Sequence, residues 1–228
     1  MLLMNRCIGT VERMGGVPAV LSPFVDSFCD LIQWNAQYVC GAGESIHYPH
    51  PPKLNIHDVA RNMMVERMRG EWLLMLDSDH AFEPDILYRL INLAEATEAD
   101  VAVGFYQFKG APYIPVVYIE HEGRISPLCD WDRSGPVALE VAAAGAGCLW
   151  VRRGVFDRIA ELKEKPFDRI AGNGEDISFF MRLKKLGIKV VCNPNIECNH
   201  LELRAVTLAD YDPSDLDLHK PEKIAGYR

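Results

Sequence analysis

The stretch "EWLLMLDSDHAFEPD", residues 71–85, decides how this chain is read. Trp72–Leu76 is a continuous apolar run of strand length, which predicts a strand buried on both faces. It runs straight into Asp77-Ser78-Asp79. Two carboxylates two residues apart repel each other, and burial disfavours the charge on both, so something positive must offset that cost. Side chains at i and i+2 of an extended segment point the same way. Asp77 and Asp79 are therefore expected to face one ligand. Two carboxylates and no thiolate suit a hard divalent cation, Mn2+ or Mg2+, which keeps open positions for phosphate oxygens. The competing reading has both aspartates merely capping the loop and the next helix. Capping accounts for one of them well and for the pair poorly.

Working outward, apolar spacing of 3.6 predicts a helix on Phe24, Val25, Phe28, Leu31 and Ile32. Another is expected over 56–69, with Val59, Ala60, Met63, Met64, Arg67 and Met68 on one side and Gly70 ending it. Pro84 is expected in the first turn of a helix striped by Ile86, Leu87, Leu90, Ile91 and Ala94. "DVAVGFYQF" reads as a second buried strand, with "IPVVYIE", "LEVAAAGAGCLWVRR" and "IKVVCN" as further strands. Helices are expected over 155–165 and 175–186. Alternating strands and helices in the first 110 residues imply a parallel, doubly wound α/β half, followed by a mixed or antiparallel patch. In open sheets of this kind ligands bind beyond the carboxyl ends of the strands, where Asp77 and Asp79 stand.

The chain has 228 residues, 49% hydrophobic and 25% charged, with a net charge of −8. This is ordinary globular composition, and the acidic balance argues against a general nucleic-acid binder. No apolar run approaches the roughly 18 residues of a membrane span, and "MLLMNRCIGTV" is too soon interrupted for a secretory signal. The seven cysteines are scattered and odd in number, as expected for reduced thiols in a cytoplasmic protein.

Further residues carry chemistry. "GNGEDISFFMRLKKLG", 172–187, delivers Glu175 and Asp176 to a helix start. The helix dipole favours carboxylates there, and a positioned general base requires the same placement, so the local reading stays open. His200 follows the last expected strand in a short polar segment, and Cys192, Cys198 and His200 lack zinc spacing. Gly145 and Gly147 are placed either for close approach of a ligand to backbone or for tight sheet packing. Trp131, between Asp130 and Asp132, offers an aromatic stacking platform for a ligand, against the plainer reading of a loop aromatic. His47, His50 and His57 lie in a Pro-rich segment read as a solvated turn that can border the site.

The order of these pieces resembles the family-2-like nucleotide-sugar glycosyltransferases of GT-A fold. The resemblance covers about residues 56–203 and rests on "VARNMM", "LLMLDSDHAFEPD", "AAGAGCLWVRRGVFDRI", "GEDISFFMRLKKLGIKV" and "NPNIECNHLE". Each motif is weak alone; five in order are strong. The resemblance implies a central, mostly parallel sheet flanked by helices, with a smaller mixed or antiparallel acceptor-side patch. From about Leu203 onward the chain is acidic, Pro-punctuated and poorly periodic, so the reading is a single catalytic domain over 1–203 and a tail over 204–228. A divalent ion, Mn2+ or Mg2+, would be held by Asp77, Asp79 and His200, with Asp79 the more direct ligand. Asp176, then Glu175, would be the base of an inverting transfer. Arg61, Asp77, Gly145 and Gly147 would contact a UDP- or GDP-linked sugar donor. The acceptor hydroxyl could belong to a saccharide, a lipid-linked sugar, a small molecule or a modified nucleobase. The N-terminal "NRCIGTVERMGGVPAV" departs from the family's usual opening, which leaves the nucleotide base unread.

Rival readings are a non-catalytic sugar-nucleotide binder, a metal-dependent phosphohydrolase with an aspartyl nucleophile, and a nucleotidyltransferase. The Glu-Asp motif speaks against the first. The phosphohydrolase motif normally lies near the start of a chain, and the nucleotidyltransferase opens with a Gly-rich phosphate loop that is missing here.

Overall fold

The computed structural model describes residues 6–15, 21–53, 56–131 and 138–202. The segment 204–228, expected to be a tail, lies outside them. Eleven strands are described: β1 Arg6–Arg13, β2 Glu44–His47, β3 Trp72–Leu76, β4 His80–Phe82, β5 Val101–Phe105, β6 Val117–His121, β7 Arg124–Pro127, β8 Leu139–Glu140, β9 Ala143–Ala144, β10 Cys148–Arg152 and β11 Val190–His200. Five α-helices accompany them: α1 Ser22–Trp34, α2 His57–Arg67, α3 Ile86–Ala96, α4 Arg153–Glu161 and α5 Glu175–Lys185. A π-helical turn, Asn35–Val39, extends α1.

The main sheet has the order β2-β1-β3-β10-β5-β11-β4, with β8 also on β11. Pairing is parallel for β1 with β2 and β3, and for β11 with β5. β10 is the exception, running antiparallel between β3 and β5. A small antiparallel sheet, β7-β6-β9, forms the second patch. The fold is thus the mixed α/β, GT-A-like arrangement expected, a largely parallel sheet with helices on both faces.

β3 shows why an unbroken apolar run makes a central strand. All five of its residues are buried. Leu73 and Met75 face the core shared with Met64, Phe156 and Phe179, while Trp72, Leu74 and Leu76 face the one shared with Phe24, Leu87 and Leu90. Each fully buried Leu or Met contributes about 1.5–3 kcal/mol. Gly70 turns the chain from α2 into β3 at φ +78°, and a Cβ there would strike the backbone of Ile8 and Gly9.

Several elements differ from expectation. α2 does not bury the whole apolar stripe: Val59 is exposed, and Arg61 and Asn62 are buried beside Ala60 and Met64. "LEVAAAGAGCLWVRR" is three strands, β8, β9 and β10, because the chain passes from one sheet to the other through 145–147. Pro84 lies in a turn ahead of α3. The last strand does not end at Asn193. It continues through Pro194 with a register shift between Cys192 and Glu197, leaves β5 and pairs with β4, carrying His200 on its final residue.

Candidate active site

The site forms where β3 ends. The Asp77 amide donates to the Gly147 carbonyl at 2.8 Å, stitching the end of β3 to the turn before β10. Beyond it, Ser78–Asp79 turns rather than extends. That turn removes the i, i+2 geometry from which a single shared ligand was expected, and the two carboxylates meet different cations.

Asp77 meets Arg61. The Arg61 Nη2 donates to Asp77 Oδ1 at 3.0 Å, Nη1 to the Ala146 carbonyl at 2.9 Å and Nε to Glu175 Oε1 at 3.4 Å. One guanidinium fork, 3% exposed, joins α2, the end of β3, the 145–147 turn and the start of α5. Burial works against its charge, yet Asp77 and Glu175 hold its pKa above the ordinary arginine value. His57, one turn earlier on α2, brings Nδ1 to 3.6 Å from Glu175 Oε1, and that contact raises the histidine's pKa.

The two acidic residues opening α5 are electrostatically unlike. Burial pushes Glu175 up, but the bond to His57 and the charge of Arg61 outweigh it and bring the group down to about 2. Asp176 is raised above the usual aspartate range, first by burial and further by neighbouring Glu175, although the Ile177 amide donates to its Oδ1 at 2.7 Å. Among the described residues no cation pairs with Asp176. The loop leading to this pair is fixed from α2 and α5. Asn62 Nδ2 donates to Asp168 Oδ1 at 2.9 Å, and its Oδ1 accepts from the Phe167 amide at 3.0 Å. Ser178 Oγ donates to the Gly174 carbonyl at 2.7 Å and accepts from the Ile170 amide at 2.9 Å.

Asp79 meets a different pair. Lys109 Nζ donates to its Oδ2 at 2.5 Å, and His200 Nε2 stands 3.4 Å from the same oxygen. Burial opposes ionisation of Asp79, but these two neighbours hold its pKa below the ordinary range. His200 Nδ1 lies 2.9 Å from the Gln107 carbonyl. A carbonyl can only accept, so Nδ1 carries a hydrogen and Nε2 is the ring atom turned toward Asp79. Burial opposes the ring's charge, but the Asp79 carboxylate outweighs it and raises the histidine's pKa. A carbonyl-oriented imidazole is the usual preparation for a metal ligand. Carboxylate and imidazole atoms of Asp79, His80 and His200 all lie within 4.8 Å of one another. Asp77 lies outside that group. The residues present therefore fit a divalent cation at Asp79 and His200.

The remaining expected residues have definite surroundings. A Cβ on Gly147 would come within 2.4 Å of His80 Cε1 and 3.0 Å of Asp77 Oδ2. One on Gly145 would meet the Tyr106 hydroxyl at 2.0 Å and Val116 Cγ1 at 2.8 Å. The space beside both glycines is thus filled by the protein's own groups, while the 145–147 backbone borders the site. Trp131 is half-buried and packs edge-on against Phe105 at 5.0 Å; Asp132 lies outside the described residues. His80, Tyr106 and Lys109 were not singled out as site residues from the sequence, and His57, read in a solvated turn that can border the site, stands instead at the start of α2. His80, directly after the second aspartate, was open to notice. Lys109 and Tyr106 reach the site from the β5–β6 connection and carry no local signal. Burial depresses His80 to about 4.

By fold the chain is similar to A197 from STIV, with a TM-score of 0.50 and 16% identity over 87% of this chain and 97% of that one. It is also similar to S. aureus TarS 1–349, solved in complex with UDP-GlcNAc, with a TM-score of 0.50 and 11% identity over 91% of this chain. The match spans 61% of the TarS chain. No curated protein matches the sequence. No helix among the described residues is long and apolar enough to cross a membrane. The family described as Glycosyl transferase family 2 matches residues 33–159, more than half of the chain, a span that carries Arg61, Asp77, Asp79 and the 145–147 turn. The chain belongs to glycosyl transferase family 2.

Proposed function

We propose that this glycosyltransferase moves a single sugar from a nucleotide-diphosphate sugar to a hydroxyl acceptor, with inversion, using Asp176 as general base. The observation that carries this reading is the asymmetry of the two carboxylates opening α5. Glu175 is neutralised by Arg61 and His57, whereas Asp176 is raised and has no cation partner among the described residues. A base must be ionised at working pH yet able to take a proton, and a raised aspartate serves that better than a carboxylate held near 2. In the step itself the acceptor O–H proton passes to the Asp176 carboxylate. The acceptor oxygen bonds to the anomeric carbon, and the bond from that carbon to the diphosphate breaks, releasing the nucleoside diphosphate.

Asp79 and His200 are the residues that would hold a divalent ion, Mn2+ or Mg2+. When bound there, the ion supplies positive charge for the diphosphate leaving group. Arg61 keeps Asp77, the 145–147 backbone and Glu175 in one arrangement, and its role is to position rather than to react. Asp77 and the backbone at Gly145–Gly147 border the donor, and Trp131 lies on the acceptor side. A UDP-linked sugar is the first donor to test, since the fold is shared with a protein solved with UDP-GlcNAc; a GDP-linked sugar is the second.

A thermal-shift panel of UDP and GDP, each with and without Mn2+ or Mg2+, tests binding, because a ligand raises the melting temperature by mass action. Stabilisation by one nucleotide together with a metal is expected, and Asp79→Ala should abolish the metal-dependent part. An unchanged Mn2+-dependent shift in that variant would remove the metal assignment. NMR of the product's anomeric proton tests inversion.

A further inference from the structure

His80 is the one group at the site whose chemistry has no use yet. Its side chain is fully buried, at 0% exposure. Among the described residues neither ring nitrogen has a hydrogen-bond partner. A buried imidazole carries one N–H and one lone pair, and leaving both unmatched is costly. Its ring is boxed by Tyr106 and His200, with centroids 4.6 Å away in each case, and by Gly147.

The fold explains why the ring is aimed as it is. His80 and His200 are register partners on antiparallel strands β4 and β11, so their side chains leave the sheet on the same face. Asp79, one residue earlier, would point to the opposite face of a continuous strand. The turn at Ser78–Asp79 brings it round to the same side. One carboxylate and two imidazoles converge as a result.

We propose that His80 is a third metal ligand, so that β4 and β11 present a two-histidine, one-carboxylate site that selects a transition ion such as Mn2+ or Co2+ over Mg2+. The inference rests on the cation at Asp79 and His200 proposed above and adds to it the inner ligand and the resulting selectivity. Imidazole suits first-row transition ions, whereas Mg2+ prefers an all-oxygen shell. With His80 as ligand, the buried lone pair acquires its partner. Tyr106 packs against the same ring, with centroids 4.6 Å apart.

The test uses the whole protein without nucleotide and titrates MnCl2, CoCl2 and MgCl2 by calorimetry, following Co2+ also by visible absorption. Wild-type protein should bind Co2+ and Mn2+ at least about tenfold more tightly than Mg2+, and His80→Gln should weaken Co2+ binding by at least about tenfold. If that variant fails to fold, wild-type protein labelled with 15N-histidine and loaded with Zn2+ gives the answer directly, since two imidazole side chains should shift. Co2+ binding unchanged in His80→Gln, equal affinity for Mg2+ and Mn2+, or a single shifted imidazole would overturn the proposal. Asp79→Ala and His200→Ala separate the two readings. If they abolish Mn2+ binding while His80→Gln keeps it, His80 alone is removed; if neither does, the metal site fails as a whole.

Discussion

Arg61 and Asp77 meet at 3.0 Å with the arginine almost wholly buried, and the same guanidinium reaches Glu175 114 residues further along the chain. A buried ion pair contributes little to stability when compared with an apolar replacement of equal fit, but removing one partner leaves the other charge stranded. Arg61→Ala should therefore destabilise the fold by about 3–5 kcal/mol, read by urea unfolding. Arg61→Lys should recover only part of this, because an ammonium cannot reproduce the three-way fork. Wild-type stability in Arg61→Ala would show that the fork does not hold the motifs together.

Asp176→Asn should lower turnover by roughly 10²–10⁴-fold, the usual scale of general-base catalysis, with donor binding retained. Its stability should change in the opposite sense. A carboxyl whose folded pKa is raised contributes stability below its unfolded pKa, about 3.9, and that contribution is lost as pH rises through the folded value. At neutral pH the ionised Asp176 is thus a burden on the fold. Asp176→Asn should melt higher than wild type at pH 7, and the gap should close below about pH 4. Glu175, held down to about 2, behaves conversely: its contribution is present above the unfolded value and fades as pH falls toward 2. Glu175→Gln should melt lower at pH 7 and cost less in turnover than Asp176→Asn. Melting curves against pH for both variants check the two signs together.

Lys109 occupies Asp79 from the β5–β6 connection. Both side chains are more than a third exposed, so the pair itself is worth about 0–1 kcal/mol. Its interest lies in competition: a cation arriving at Asp79 must displace the ammonium. Lys109→Ala should tighten Mn2+ binding several-fold while leaving the melting temperature of the metal-free protein nearly unchanged. Calorimetry decides. Unchanged affinity combined with a large loss of turnover would instead mark Lys109 as a charge that faces the diphosphate.

Gly147→Ala places a methyl group 2.4 Å from His80 Cε1 and 3.0 Å from Asp77 Oδ2. Neither neighbour has room to retreat, since His80 is fully buried and Asp77 is tied to Arg61. Overpacking of this kind costs typically about 1–3 kcal/mol, and here it also pushes on both halves of the site. The variant should lose both stability and metal binding. Gly110→Ala, where a Cβ meets nothing within 4 Å but φ is +79°, should lose stability alone.

Much of this molecule was legible because its signals were local. Trp72–Leu76 could only be a central strand, and Glu175–Asp176 after Gly174 could only open a helix. Arg61 was reached through the family's motif order, not through its own helix, which hides a charged residue on a face that periodicity would call apolar. What stayed hidden depends on tertiary placement. β10 enters the sheet between β3 and β5 in the reverse direction, which no window of sequence encodes. β11 was read as ending near Pro194 because proline removes a ladder donor. A register shift at that point lets the strand switch partners instead, and so His200 reaches Asp79. Lys109 and Tyr106 are ordinary residues of a connecting loop until the fold brings them against the aspartates.

The span between Arg61 and Glu175 also sets an order of events during synthesis. A ribosome extends the chain from its N-terminus at about 5–20 residues per second, and domains begin to fold as they emerge. Asp77, Asp79 and the arginine that neutralises one of them are therefore present long before Glu175 and His200 are made. Until α5 and β11 arrive, Asp77 already has Arg61 and Asp79 already has Lys109, but Arg61 lacks Glu175 and Asp79 lacks His200. The site is closed last, by the segment from Glu175 to His200.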